Sequence, residues 1–270
     1  MNTNILKSIF VFLLIVGFIA ACTTVPITGR KQLNLLPESE MMSMSLTQYQ
    51  QFLKDNQLSD NEEQTEMVKR VGNNIASAVE LYFEEQGMSK RIDNFQWEFN
   101  LIEDETPNAW CMPGGKVVFY TGILPITQDE TGLAVVMGHE IAHAVARHGN
   151  ERMSQEMSVQ LGGAALSAAI DEKPDQTKNI YMAAYGLGSQ VAYQLPYSRT
   201  HESEADQLGL IFMAMAGYNP REAVDFWQRM SEIGGQKPPE FLSTHPADET
   251  RVKKLREFMP EAMKYYEEEE

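Results

Sequence analysis

Cysteine is nearly missing from this chain. It has two in 270 residues, Cys22 and Cys111, too few for a disulfide framework. A chain of this length buries enough apolar surface to fold without one. Basic residues are also in the minority. Twenty-two Lys and Arg against 38 Asp and Glu give a formal net charge of −16. That excludes a nucleic-acid partner, whose phosphates demand a basic face. It also excludes electrostatic docking on anionic lipid. Internal repeats and long low-complexity segments are missing as well. Long apolar runs are scarce: the longest, Ile9–Ala21 "IFVFLLIVGFIAA", is too short to span a hydrocarbon core of ~30 Å at ~1.5 Å per residue.

That run suits a different role. Lys7 precedes it and "IAAC" ends it, the charge, length and small-residue pattern of a secretory signal. The small residues before Cys22 resemble the bacterial lipoprotein lipobox. The resemblance implies cleavage after residue 21, acylation of Cys22 and a lipid anchor in a membrane. Thr23, rather than Asp, follows the cysteine, which by resemblance to enterobacterial sorting points to the outer membrane, facing the periplasm. Residues 22–37, "CTTVPITGRKQLNLLP", carry turn formers without a clear period and are expected as a tether. Residues 38–270 are expected as one domain. Cys111 is then alone, and is expected as a small buried hydrophobe rather than a nucleophile. Glu267–Glu270 are expected as a solvated tail.

Helices are expected from Glu38 to about Leu53 and over 61–86, the second with a stripe of Met67, Val71, Ile75 and Val79. Met41, Met42 and Met44 have no histidine or thiol near them and are expected to fill core. In "NFQWEFNLIED", Phe95, Trp97, Phe99 and Leu101 alternate with polar residues, as in a strand. "CMPGGKVVFYTGIL" predicts a hairpin around Pro113–Gly115. The apolar stretch 159–170, "VQLGGAALSAAI", is expected as a helix over the active-site cleft or in the core, not a span.

The chain has five histidines, and two of them lie four residues apart in "VVMGHEIAHAVARHG". Thr127 and Glu130 have the spacing of a capping box. Leu133, Val136, Met137, Ile141 and Ala144 supply an apolar face, so His139, Glu140 and His143 fall well inside a helix. Positions i and i+4 are ~400° apart around a helix and ~6 Å apart along it. Both imidazoles can therefore share one Zn²⁺ at about 2.0–2.1 Å. Glu140, rotated ~100° from His139, reaches the open coordination position and can take a proton from water there. His148 is ~140° off that face and is not expected as a ligand. A third ligand is needed, and "SRTHESEADQLGL" and "STHPADETR" offer His201, Glu202, Glu204 and His245. Glu202, Ala205, Asp206 and Gly209 share one helical face. One carboxylate of the Glu202–Asp206 pair could bind metal while the other holds a histidine N–H. Glu204 faces elsewhere, and His201 stays open.

Four stretches, "NAWCMPGGKVVFYTGIL", "GHEIAHAVARH", "SRTHESEADQLG" and "THPADETR", make the chain resemble metallopeptidase family forty-eight over roughly residues 35–258. That family includes the CAAX-prenyl endopeptidase and the HtpX-type and BepA-type proteases. The likeness is greatest to its BepA-type and LoiP-type periplasmic lipoproteins. The resemblance implies an α+β, mainly helical, zincin-like domain with a small sheet and an edge hairpin beside the H-E-x-x-H helix. It implies His139, His143 and Glu202 as zinc ligands, Glu140 as the catalytic glutamate and Asp206 as a supporting, proton-handling residue. It makes Asn108–Pro113 an edge for an extended peptide substrate. It makes His245 a ligand able to hold the enzyme latent; the alternative is a structural loop before a last helix in which Arg251 pairs a carboxylate. Arg199 and His201 are candidates for stabilising the oxyanion. BepA-type relatives carry a helical-repeat domain after the protease; with the sequence ending at Glu270, no such domain is expected.

The expected function is a zinc endopeptidase of the bacterial cell envelope, cleaving misfolded or unassembled envelope proteins. Peptide substrates and the outer-membrane assembly machinery are the expected partners. The alternative is a metal-stabilised chaperone or binding module for outer-membrane proteins. Glu140 favours the enzyme, since a purely structural zinc site has no use for an unliganded carboxylate.

Overall fold

A computed structural model describes residues 22–233, 245 and 249–266. The apolar run 9–21, the acidic tail 267–270 and most of the "STHPADETR" loop lie outside the described residues. In chain order the elements are β1 (Cys22–Thr24), β2 (Lys31–Leu33), α1 (Glu38–Asp55), α2 (Glu62–Glu85), β3 (Glu98–Ile102), β4 (Ala109–Met112) and β5 (Lys116–Tyr120). Then follow α3 (Leu124–Thr127), α4 (Glu130–Val145), α5 (His148–Ala169), α6 (Asp175–Ser189), a π-helical turn Gln190–Gln194, α7 (Leu195–Met215), α8 (Glu222–Ile233) and α9 (Glu249–Ala262). The architecture is α+β and mainly helical, as expected. The chain divides into two compact units. One holds the segment up to Met41 together with Arg147–Thr200; the other holds Met42–Ala146 and His201 onward.

The larger unit is built around α4. Its residues from Gly132 to Ala142 are all buried, so this helix is enclosed rather than amphipathic. α2 packs on it with Val68, Val71, Ile75 and Val79 buried. Val68 takes the place expected of Met67. The sheet has the order β3-β5-β4. β5 and β4 form the expected antiparallel hairpin, with Met112 opposite Lys116. Gly114 and Gly115 turn the chain at φ +93° and +83°, which residues with a side chain adopt only under strain. β3 runs parallel to β5, Glu98 opposite Lys116. This long-range pairing gives β5 a neighbour on both sides and leaves β4 at the edge, against α4.

Three local expectations are corrected. The N-cap of α4 is Asp129, whose carboxylate accepts from Gly132 N at 2.9 Å. Thr127 belongs to α3, and Gln128 at φ +67° reorients the chain between them. The H-E-x-x-H helix ends at Val145, short of His148, because Arg147 is left-handed at φ +63°. His148 is therefore the buried first residue of α5. Among the methionines, Met41 is buried but Met44 is exposed.

In the smaller unit, residues 22–37 are not a loose tether. β1 and β2 form an antiparallel ribbon, Cys22 opposite Leu33. Arg30 donates to the buried Glu151 carboxylate through two nitrogens, each at 2.7 Å, and Leu35 N donates to Ser154 at 2.8 Å. The ribbon is thus clamped on α5. The apolar stretch 159–170 is helical, as expected, but Leu161 is 67% exposed, so it is not core. Among the described residues no helix is long and apolar enough to cross a membrane.

Candidate metal centre

α4 brings His139 and His143 onto one face, and α7 lies against it. The close approach depends on two glycines. A Cβ on Gly138 would meet Gly209 O at 2.8 Å, and one on Gly209 would meet His139 N at 2.9 Å. The small residues expected on the Glu202–Gly209 face do serve helix contact; Gly138, their partner on α4, was not singled out in the sequence.

Four donor atoms converge where these helices meet: one each from His139, His143, Glu202 and His245, all within 4.8 Å of one another. His139 Nε2 is 3.1 Å from His143 Nε2 and 3.4 Å from Glu202 Oε2. His143 Nε2 is 3.2 Å from Glu202 Oε1. His245 Nδ1 is 2.9 Å from Glu202 Oε2 and 3.1 Å from His139 Nε2. Ligands at 2.0–2.1 Å around a tetrahedral ion are about 3.3–3.4 Å apart, close to these separations. His139 Nδ1 lies 3.0 Å from Asp206 Oδ1 and can donate there, which leaves Nε2 facing the cluster, where its lone pair is available to a metal once the ring is neutral. Two imidazole nitrogens facing each other at 3.1 Å can share one proton or, with both lone pairs turned inward, one metal ion. These residues fit zinc.

Asp206 is held in turn by Arg251 from α9, whose NH2 and Nε donate at 2.6 and 2.9 Å. Arg251 lies over the fully buried ring of Trp227, 3.2 Å from its centroid. The expectation that Arg251 pairs a carboxylate holds alongside the convergence of His245; the two readings are not exclusive. Trp227 was missed, since a tryptophan on an amphipathic helix reads as core.

Glu140 is buried beside this group, and its Oε1 makes no hydrogen bond among the described residues. His245 Nε2 lies 3.5 Å from it. Buried carboxylate oxygens are rarely left unbonded, so this one is placed for something it meets only during work. Burial pushes its pKa up, against the pull of His245 and His139, toward the range of a general base. β4 presents the sheet's free edge, with Asn108 just before it. Cys111 is a free, half-buried thiol whose pKa burial pushes well up, which disfavours a nucleophile. His201 and Glu204 are buried on α7 but outside the converging four. Arg199 falls in the part of α7 that belongs to the smaller unit.

Residues 62–259 match Peptidase family M48. The chain belongs to this family. A peptidase family accords with the converging donors of His139, His143, Glu202 and His245, which could hold one zinc ion. The M48 chain is 35% identical over 243 residues to "Mitochondrial metalloendopeptidase OMA1" of Schizosaccharomyces pombe, covering 88% of this chain and 66% of that one. It is 29% identical over 269 residues to "Metalloendopeptidase OMA1, mitochondrial" of Homo sapiens, 96% of this chain and 50% of that one. To the "Beta-barrel assembly-enhancing protease" of Yersinia pestis it is 27% identical over 169 residues, 59% and 34% of the two chains. The M48 chain thus spans about a third to two thirds of the length of these relatives.

The donor set makes zinc uptake pH-dependent. Burial and the charge of Arg251 push the His139 pKa down, but the Asp206 and Glu202 carboxylates outweigh them and lift it from 6.5 to about 9. A raised value means that protonation stabilises the metal-free fold. That contribution is complete below about 6.5 and is lost as pH rises through about 9. Zinc and proton compete for the ring. Apparent zinc affinity, read by competition with a chromogenic chelator, is expected to rise roughly tenfold per pH unit between 7 and 9. A flat profile there would contradict the assignment of His139.

Proposed function

We propose that this M48 chain is a lipid-anchored endopeptidase of the bacterial cell envelope, cutting misfolded or unassembled envelope proteins, with His139, His143 and Glu202 as zinc ligands and Glu140 as general base. The observation that carries the chemistry is the orphaned Glu140 oxygen beside four converging donors. Zinc bound there supplies Lewis acidity toward water and the scissile carbonyl. Glu140 takes the proton of the attacking water and returns it to the departing amine, so no net proton is consumed. Asp206, fixed by Arg251, orients His139. The β4 edge accepts an extended substrate through main-chain hydrogen bonds, and Arg199 and His201 remain candidates for the oxyanion. The anchor reading rests on residues 1–21 as a leader ending in "IAA" and on Cys22 directly after it. The name of the Yersinia pestis relative, a beta-barrel assembly-enhancing protease, supports a link with β-barrel assembly.

The test is cleavage of an unfolded polypeptide by the full chain. Cleavage is expected to vanish with chelator and to return with one equivalent of zinc. Chelator-resistant cleavage would sink the reading.

We further propose that His245 restrains this activity. Three protein ligands leave a position for water, whereas four close a site. His245 Nδ1 supplies the fourth donor, and its Nε2 approaches Glu140. His245→Ala is expected to raise kcat/KM about tenfold or more at unchanged zinc content, the order of a coupling of 1.4 kcal/mol or above. A fall in activity would instead make His245 part of the working machinery.

A further inference from the structure

The smaller unit carries a helical hairpin that is built inside out. α5 meets α6 at two glycines, Gly162 and Gly163, which receive Tyr185 and Met182. The Tyr185 hydroxyl donates to Val159 O at 2.8 Å, and a Cβ on Gly162 would meet that hydroxyl at 2.3 Å. Other large apolar side chains of the two arms are left exposed. Leu161 is 67% exposed, Ile180 62%, Leu187 64% and Val191 56%. No residue of α6 is buried. In water the hydrophobic effect places large apolar groups between helices. Small residues at the contact with large apolar groups outside is the arrangement of helices packed in lipid, where hydrocarbon solvates leucine as well as protein does.

The charge pattern agrees. Residues 157–170 and 179–198 contain no Asp, Glu, Lys or Arg. The charges gather at the connecting turn, Asp171, Glu172, Lys173, Asp175 and Lys178. A charged tip cannot cross a bilayer cheaply, and no described helix is apolar enough to span one. The hairpin therefore suits the interface plane, with its neutral arms against acyl chains and its tip in water.

The occupant is indicated by where the chain comes from. The apolar run Ile9–Ala21 ends directly before β1, and β1 pairs with β2, which Arg30 and Leu35 clamp to α5. The leader thus enters the same unit that exposes the apolar hairpin. We propose that the α5–α6 hairpin is a second membrane contact, which lies on a zwitterionic lipid surface and fixes the orientation of this unit there. It rests on the reading that the N-terminal segment anchors the chain. The net charge of −16 argues for neutral rather than anionic headgroups.

The test uses the full chain in phosphatidylcholine vesicles containing a phosphatidylcholine with a photoactivatable diazirine at its acyl end, followed by peptide mapping. Label is expected on peptides from 157–170 and 179–198 and on the N-terminal peptide up to Thr24. The triple variant Leu161→Gln, Ile180→Gln, Leu187→Gln, with its helix content checked by circular dichroism, is expected to lose hairpin label about tenfold or more and to keep N-terminal label. Label on the N-terminus alone would overturn the hairpin proposal and leave the anchor standing. Label on the hairpin alone would uphold the proposal and overturn the anchor. Label on neither would overturn both, and crosslinks between hairpins of two chains would then assign the surface to a second copy.

Discussion

Glu140→Gln is expected to lower peptide cleavage by about 10²- to 10⁴-fold, the scale of losing a general base, while zinc content stays at one per chain. The amide keeps the shape of the carboxylate but cannot accept and return a proton. Stability should not fall. The carboxylate is buried, one of its oxygens makes no hydrogen bond among the described residues, and burial already raises its pKa. A neutral group relieves the cost of keeping a charge there, so Tm is expected to hold or to rise by a few degrees. Cleavage kinetics, metal analysis and thermal unfolding on one preparation decide it. Loss of activity together with loss of zinc or fold would mean that Glu140 is structural. Retention of a tenth or more of the activity would assign the base elsewhere. A chaperone role would survive the substitution untouched, so the same variant separates enzyme from binding module.

The parts of this site that were legible in the sequence are the local ones. His139 and His143 are one helical turn apart, and periodicity alone puts them on one face. Glu202, Ala205, Asp206 and Gly209 follow the same rule on α7, and the small residues among them do allow close contact with α4. Spacing could not choose between Glu202 and Asp206 as the ligand; family resemblance did. What stayed hidden is what depends on one dihedral or on distant chain. The left-handed Arg147 ends α4 and sends His148 into another unit, and no periodicity announces that. Gln128 similarly hands the cap from Thr127 to Asp129. The ribbon of residues 22–33 depends on Glu151, 121 positions from Arg30. Trp227 acts on the site through Arg251, a contact between two helices that the sequence does not join. The stretch 159–170 reads as a cleft cover or core by composition because composition carries no account of which surroundings a surface faces.

Glu202→Gln and Asp206→Asn should part company, although both remove one carboxylate from the same face of α7. Glu202 touches the donor cluster directly, 3.4 Å from His139 Nε2, 3.2 Å from His143 Nε2 and 2.9 Å from His245 Nδ1. Its loss is expected to weaken zinc binding by about 10³-fold or more, since a ligand and its charge go together. Asp206 reaches the cluster only through His139 Nδ1, and the loss of such a partner costs about 10- to 100-fold in metal affinity. Excess zinc should therefore restore cleavage to Asp206→Asn and not to Glu202→Gln. The metal-free proteins give an independent reading. Burial works to raise the Glu202 pKa, but the charge of His143 and hydrogen bonds from His139, His143 and His245 hold it well below its ordinary 4.5. A depressed value means that the carboxylate stabilises the fold above its unfolded pKa and loses that effect as pH falls through the folded one. The Tm deficit of metal-free Glu202→Gln should thus be complete at pH 7 and begin to close only below about 4.5, the ordinary value. Equal zinc loss in the two variants would place Asp206 on the metal itself. A deficit that already closed between pH 7 and 5 would mean that the histidines, not Glu202, carry the stabilising charge.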